Sequence, residues 1–372
     1  MASTSPRRLP ELEGLRGLLS WWVVLCHALQ QSGYSAEWLG RGARILLHGD
    51  YAVDVFIILS GFVIAKLCAD SREPYGIFIA RRFLRLWPAY IVCLFASLLV
   101  RPCIAAILAH PPLGDPVWGA EHAVRLQQNF QFESAHYFSH IAAHLTMLHG
   151  AVPETLLPAS STAFLGPAWS ISLEWQFYLV APLLFWALKK GGSPAWVGFI
   201  VVAGFGWLAR YVAPWDAYFP MESFLWQKLL LFAIGIASHR LWESLHDRGD
   251  AIAPALFGIA GVILFFTLSL PLAIWCAVLA AVLASRGAVK TLLASAPIQF
   301  LGRVSYSTYL GHMIVLWALQ PLVFALIPAV TARLMLAVLL GLGAPLILLL
   351  SVLLYRWVEA PAIALGRRLR SA

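Results

Sequence analysis

The sequence predicts an all-α integral membrane protein with about ten transmembrane helices. Of its 372 residues, 60% are hydrophobic and only 12% are charged, whereas a soluble domain carries about a quarter charged residues. Apolar runs recur along almost the whole chain and are bounded by charged residues, Gly or Pro. Lys and Arg also divide unequally between the two sides that these runs define. So much apolar surface excludes a water-soluble globule.

Ten runs approach the length of about 20 apolar residues that a helix needs to cross the hydrocarbon layer. In order they are Gly17–Gln31, Tyr51–Lys66, Leu84–Val100, Ala168–Leu188, Ala195–Arg210, Phe224–Ser238, Ala253–Leu268, Leu272–Ser285, Ser305–Phe324 and Leu334–Trp357.

The distribution of Lys and Arg predicts the orientation. With a cytoplasmic N-terminus, most cations fall on cytoplasmic segments, as the positive-inside rule requires. Residues 1–12 are polar and no cleavage site follows the first run, so we expect no removable signal peptide. Both termini are then cytoplasmic, and one long outer loop, Pro102–Gly166, joins helices 3 and 4. We expect a single membrane domain over 1–372, with a core at about 12–362, in the cell (inner or plasma) membrane.

Charge and cysteine usage narrow the functional classes. The net charge of +8 does not indicate nucleic-acid binding, because Lys and Arg occur singly between apolar runs rather than on one basic face. The five cysteines lie in or beside apolar runs, which indicates neither a disulfide framework nor a zinc site. Cys26, next to His27, could be a nucleophile, but a thiol among apolar residues is usually inert.

The first helix carries two ionisable residues on one face. Arg16 and His27 are eleven positions apart, which brings them to the same side, about 16 Å apart along the axis. Ionisable groups within a membrane helix usually face a cavity and are functional candidates. With Asp54 beginning the next helix, His27 is predicted to act as a general base. The alternative is a polar residue that bonds to another helix.

Arg81, Arg82 and Arg85 lie at the cytoplasmic end of the third helix. Guanidinium groups match phosphate oxygens, so this cluster could hold the phosphates of coenzyme A while its long arm carries a thioester towards His27. Anchoring by the positive-inside rule is the alternative.

The carboxylate of Glu174 lies near the outer end of the fourth helix and would not face lipid unpaired. It could orient an acceptor hydroxyl, hydrogen-bond to an imidazole, or form a structural ion pair.

Two further groups have weaker signals. Tyr309 and His312 share one face of the ninth helix, where they could contact a cofactor, although helix packing alone could explain them. His136, His140 and His144 repeat at helical spacing in the outer loop. Without a carboxylate or thiol partner at a recognised spacing, they are interpreted as a wet amphipathic face and no metal is predicted.

Taken together, these residues resemble the acyltransferase-3 family of integral membrane acyltransferases. The resemblance spans almost the whole chain. It rests on Leu12–Gly17 with His27, Val53–Phe56 with Leu59–Phe62, Arg81–Pro88, Trp169, Ser170, Glu174, Phe177, Tyr178, Ser305, Tyr306, Tyr309, Leu310, His312, Glu359 and Pro361. Trp175 and Gln176 depart from the family, where a second acidic residue is frequent after the Glu174 position.

The resemblance implies a ten-helix core in which Arg16 and His27 act on the acyl donor and the arginine cluster holds coenzyme A. Asp54 and Glu174 match family positions. Family members commonly acylate carbohydrates or glycosylated compounds, so the resemblance implies transfer of an acyl group, typically acetyl, from cytoplasmic acyl-CoA to a carbohydrate or glycolipid hydroxyl.

Two alternatives stay open at this stage. A proton- or ion-coupled transporter would also contain buried His, Asp and Glu, but it should show inverted repeats or interrupted helices in matching halves, which the sequence lacks. An unrelated membrane acyltransferase fold would give a similar activity and differ in structure.

Overall fold

The computed structural model describes residues 9–33, 40, 43–70, 73–109, 120–209, 211–212, 215–248, 252–267, 269–284, 286–327 and 330–369. Within these ranges the chain is helical and contains no β-strand. The outermost parts of the predicted cytoplasmic tails, 1–8 and 370–372, and part of the predicted outer loop, 110–119, lie outside the described residues.

Fifteen α-helices are described. They are α1 Pro10–Ser32, α2 Gly49–Asp70, α3 Tyr75–Ala109, α4 Ala120–Ala135, α5 Tyr137–Leu145, α6 Trp169–Ala209, α7 Trp215–Tyr218, α8 Leu225–Arg248, α9 Ala253–Thr267, α10 Leu270–Leu283, α11 Ala288–Leu293, α12 Ala296–Leu326, α13 Ala332–Val338, α14 Ala344–Leu354 and α15 Ala360–Arg368.

Nearly all of each predicted apolar run is helical, and the last run is divided between α13, α14 and the two π-helical turns beside α14. Within the described ranges, five stretches are long and apolar enough to cross a membrane: Gly49–Ala69, Tyr75–Cys103, Gly166–Ala209, Ala296–Leu326 and Ala332–Arg368. The predicted helical, membrane-spanning character is thus confirmed, while the count of ten spans stays a prediction. The fourth and fifth runs share α6, which is kinked at Gly192, where φ is +59°. Glycine adopts this left-handed conformation without a Cβ clash.

The last span is continuous but contains two π-helical turns, Leu339–Gly343 and Tyr355–Glu359. A π turn adds one residue to a helical turn and shifts the direction of the side chains that follow. The second turn ends at Glu359, whose side chain is buried against α3 and α12. The π-helical turn therefore occurs where the carboxylate of Glu359 is buried.

The first and twelfth helices pack closely at two glycines. A Cβ on Gly17 would lie 2.7 Å from the backbone nitrogen of Gly302, and one on Gly302 would overlap the carbonyl of Glu13. Larger residues would force these backbones apart, since interiors are close-packed. This approach brings the C-terminal half of α1 against the middle of α12, where His27 and His312 meet.

A buried ion network joins α2 to α8. Lys228 is 5% exposed and its ammonium lies 2.8 Å from Asp54 Oδ1 and in contact with Glu222. A buried charge is stable when it is paired, and loss of one partner leaves the other uncompensated. The network therefore fixes the relative position of the two helices.

The predicted outer loop is largely helical in its described part. α4 contacts both α3 and α5, and α5 meets the middle of α3 through His144 and Tyr90. His136 is exposed as predicted, but His140 and His144 are fully buried. The interpretation of all three as a wet face is therefore wrong, because the shared face of His140 and His144 packs against Tyr90, His149 and Phe164 instead of water.

Candidate active site

An inner cavity lies between α1, α2, α3, α6, α8 and α12. It is narrow, about 60 Å³, and its lining includes Arg16, Arg85, Glu174, Ser60 and Tyr309. The space would hold a few water molecules, at roughly 10–15 Å³ each by the same measure. It therefore fits a linear chain but not a nucleotide.

Two charged groups of this cavity have different surroundings. Arg16 has no carboxylate within 4.0 Å among the described residues. Glu174 accepts hydrogen bonds from the hydroxyls of Ser60, at 3.1 Å, and Tyr178. Within the described ranges, Glu174 thus forms neither an ion pair nor a contact with an imidazole. Because Glu174 does not pair with Arg16, the Arg16 guanidinium can contact a ligand.

The predicted arginine cluster is only partly available. Arg81 pairs with Glu73 at 2.5 Å, and Arg85 pairs with buried Glu359. Arg82 lies over the rings of Phe78 and Tyr178, with Cζ 5.9 and 5.8 Å from their centroids, and its Nε is buried without a partner. Of the three, Arg85 alone lines the inner cavity.

A much larger outer cavity, about 550 Å³, opens beside the other end of α1. Its lining includes His27, Gln30, Asp50, Trp169 and Trp317. Aromatic faces and planar polar groups occur together here, as in sites that enclose small molecules. Ligand pockets are typically 300–1,000 Å³, so this cavity can admit a bulky acceptor.

One wall of the outer cavity carries an ion pair between Arg101 and Glu133. The Arg101 guanidinium lies over Phe130 and Phe164, with Cζ 4.5 and 5.1 Å from the ring centroids. Burial raises the pKa of Glu133, and the charge of Arg101 opposes that rise. Phe164 has φ +58°, an uncommon backbone conformation for a non-glycine residue.

His27 and His312 are in direct contact. The His27 Nδ1 atom lies 2.8 Å from His312 Nε2, and the rings stack with centroids 5.0 Å apart. His312 is fully buried, and its Nδ1 lies 3.2 Å from the carbonyl oxygen of Thr308. The position of His312 thus differs from the predicted contact with a cofactor: the side chain is behind His27.

Tyr309 lies between the two cavities and lines both, together with Val53. Its hydroxyl is 2.7 Å from Ser170 Oγ and donates to the carbonyl of Pro167 at 3.0 Å. Arg16 and His27 therefore face separate cavities that meet at Tyr309 and Val53.

The remaining sequence candidates are engaged elsewhere. Asp54 pairs with Lys228, and no contact with His27 occurs among the described residues. The Cys26 thiol donates to the carbonyl of Leu47 at 3.1 Å. Gln176, at the family's frequently acidic position, joins α6 to α8 through Leu225 and Ser223. Within the described ranges no three His, Cys, Asp or Glu residues are arranged to hold a metal.

Sequence reasoning missed several partners. The sequence indicates no role for Lys228 or for the Arg101–Glu133 pair, and it marks Glu359 only through the family resemblance. Each was visible as a charge within or beside an apolar run. Their pairing needed the three-dimensional arrangement, since the members of these pairs are distant in sequence or lie on unrelated faces.

The comparisons with known proteins identify the class. The sequence profile of the acyltransferase-3 family, described as an acyltransferase domain, matches residues 9–356. The chain belongs to this family. It is therefore a membrane enzyme of the O-acyltransferase type, which decides against the transporter alternative.

Two relatives are similar over different lengths. The acyltransferase MdmB of Streptomyces mycarofaciens is 28% identical over 346 residues, covering 83% of this chain and 79% of the relative. Protein 2 in the picA locus of Rhizobium radiobacter is 32% identical over 120 residues, covering 31% of this chain and 57% of the relative. No solved structure is significantly similar to this chain.

Proposed function

We propose that this enzyme transfers an acyl group, acetyl in the first instance, from cytoplasmic acyl-CoA to a hydroxyl of a carbohydrate or glycosylated acceptor on the other side of the membrane. The observation that carries the proposal is the pair of cavities that meet at Tyr309, with a cation in one and a histidine in the other.

The donor enters through the inner cavity. Arg16 offers a cation without a carboxylate partner, and Arg85 lines the same space. Arg81 and Arg82 lie on the turn of α3 that precedes Arg85 and would hold the phosphates outside the narrow part, where the phosphates compete with Glu73 for Arg81. Charge against phosphate gives strong, fork-shaped hydrogen bonds. The thioester at the end of the arm then reaches Tyr309.

The acceptor enters through the outer cavity. Trp169 and Trp317 offer aromatic faces, while Gln30, Asp50 and Asn129 offer hydrogen-bonding groups. Sugars present both apolar ring faces and hydroxyls, so this mixture suits a carbohydrate or a glycoside. The volume admits a ligand larger than one sugar.

The reaction is a single acyl transfer. His27 accepts the proton of the acceptor hydroxyl as its oxygen attacks the thioester carbonyl carbon. The new C–O bond forms, the C–S bond breaks, and the coenzyme A thiolate receives the proton from His27. Neither an oxidant nor a metal is needed for this balance.

The test is a His27→Ala variant. Acylated glycosides and surface glycans are compared by mass spectrometry in a deletion strain complemented with wild-type or variant enzyme. We expect the acylated species to disappear with His27→Ala, because a missing general base costs about 10²–10⁴ in rate. Binding of radiolabelled coenzyme A to the purified variant should be unchanged.

A matched control is Cys26→Ser, at the neighbouring residue, which should retain activity because the serine hydroxyl can still donate to the carbonyl of Leu47. Normal acylation by His27→Ala, at equal amounts of membrane-inserted protein, would remove His27 from the mechanism.

A further inference from the structure

His312 is buried directly against His27. His27 lines the outer cavity, whereas His312 is 0% exposed and is held from behind by the backbone of its own helix. The polar neighbours of its two ring nitrogens are fixed: Thr308 O on Nδ1 and His27 Nδ1 on Nε2.

These contacts determine where the hydrogens are. A carbonyl oxygen can only accept, so Nδ1 of His312 carries a hydrogen and donates it to Thr308. A second hydrogen on Nε2 would create a fully buried imidazolium, and no carboxylate lies within reach among its described neighbours, an arrangement that is very costly. Nε2 of His312 is therefore the acceptor, and Nδ1 of His27 donates to it at 2.8 Å.

We propose that His312 is a positioning residue that holds His27 in the tautomer with its hydrogen on Nδ1 and its lone pair on Nε2. This inference rests on the proposed function, in which His27 is the general base. His312 touches neither substrate; it acts through the ring of His27. Correct tautomer and orientation are what a catalytic histidine gains from a buried partner.

The chain supplies a matched pair of variants. The terminal amide of glutamine lies where Nε2 of histidine lies, and that of asparagine lies where Nδ1 lies. His312→Gln therefore retains an acceptor for His27, whereas His312→Asn retains the contact with Thr308 and loses the one with His27. If His312 served only helix packing, the two variants would lower kcat by the same amount.

The kinetic measurement follows label from radioactive acetyl-CoA into an extract of the deletion strain. We expect His312→Asn to lower kcat by about tenfold to a hundredfold, as for a lost hydrogen bond that orients a base, with the KM for acetyl-CoA unchanged. His312→Gln should keep at least about a third of the wild-type kcat, because it retains an acceptor for the hydrogen bond that His27 donates.

The second measurement needs no acceptor. In protein labelled with ¹⁵N in the histidine rings, signals of His27 are assigned by their loss in His27→Ala. Wild type and His312→Gln should show hydrogen on Nδ1 of His27, and His312→Asn should show both tautomers. Equal kcat losses in the Asn and Gln variants, or an unaltered tautomer in His312→Asn, would overturn the proposal. An active His27→Ala enzyme with the expected tautomers would instead refute the base role alone.

Discussion

Arg16 and Arg85 line the same cavity but differ in whether a carboxylate pairs with them. Arg85 is held by Glu359, whose other oxygen accepts from Ser307 at 2.6 Å, and the carboxylate is fully buried. Arg16 faces the cavity with no carboxylate within 4.0 Å among the described residues. The unpaired cation is the better candidate for a donor contact, and the paired one for holding α3 to the last span.

This difference predicts distinct outcomes for two identical substitutions. Arg85→Gln should destabilise the protein by about 3–5 kcal/mol, because it leaves Glu359 buried without its cation. Arg16→Gln should leave stability almost unchanged and weaken coenzyme A binding about tenfold or more, the cost of one charge-assisted contact. Thermal unfolding in detergent and titration with coenzyme A measure the two quantities.

A double variant separates the causes. Arg85→Gln with Glu359→Gln should regain most of the lost stability, since no charge is then left unpaired. If Arg16→Gln instead lowers the unfolding temperature as much as Arg85→Gln does, and leaves coenzyme A affinity intact, the division between a ligand contact and a structural pair is wrong.

At the scale of elements, the position of α5 depends on a cluster of buried, neutral histidines. His144 Nδ1 is 2.5 Å from Tyr90 Oη on α3, and the His144 and His149 rings stack 4.0 Å apart. His149 donates to the carbonyl of Ala168, just before α6 begins. The cluster thus ties α5 to α3 and to the helix that carries Ser170 and Glu174.

Burial lowers the pKa of His140 to about 4 and that of His149 to about 3. In the unfolded chain a histidine titrates near 6.5. Below that value the unfolded state binds more protons, so the stabilisation present above pH 6.5 is lost as the pH falls towards the folded values.

We therefore expect the unfolding temperature to fall between pH 7 and pH 5. Because of this pKa difference, each of these histidines lowers the free energy of unfolding by up to about 2 kcal/mol at pH 5. His140→Met should reduce this pH dependence without loss of stability at pH 7, because neither ring nitrogen of His140 has a hydrogen-bond partner. His136→Gln, at the exposed position, is the control and should change neither quantity. A pH dependence unaltered by His140→Met would contradict the assignment.

The sequence patterns predicted the helices and several charged residues of the site, but not which residues these charged side chains contact. The face shared by Arg16 and His27 follows from helical period, and Arg16, His27 and Glu174 do line cavities. Asp54, one of the candidate site residues, pairs with Lys228, because the fold places α8 beside α2. His140 and His144 were expected in water, since the period of a helix shows a common face but not what packs on it.

For the whole molecule, the arrangement of the two cavities predicts a sided reaction. Arg16 and His27 are about 16 Å apart along the axis of α1, and both cavities end at Tyr309. Coenzyme A is too strongly charged to cross the hydrocarbon layer, so its phosphates should stay on the side of Arg16 while the arm carries the thioester inward. In sealed vesicles of known orientation, acetyl-CoA should support transfer only from the cytoplasmic face. A membrane-impermeant acceptor from the extract should be acylated only from the opposite face. In vesicles opened with detergent, transfer should no longer depend on the side to which each substrate is added. Equal transfer with both substrates confined to the cytoplasmic side would show that the acyl group does not pass between the cavities.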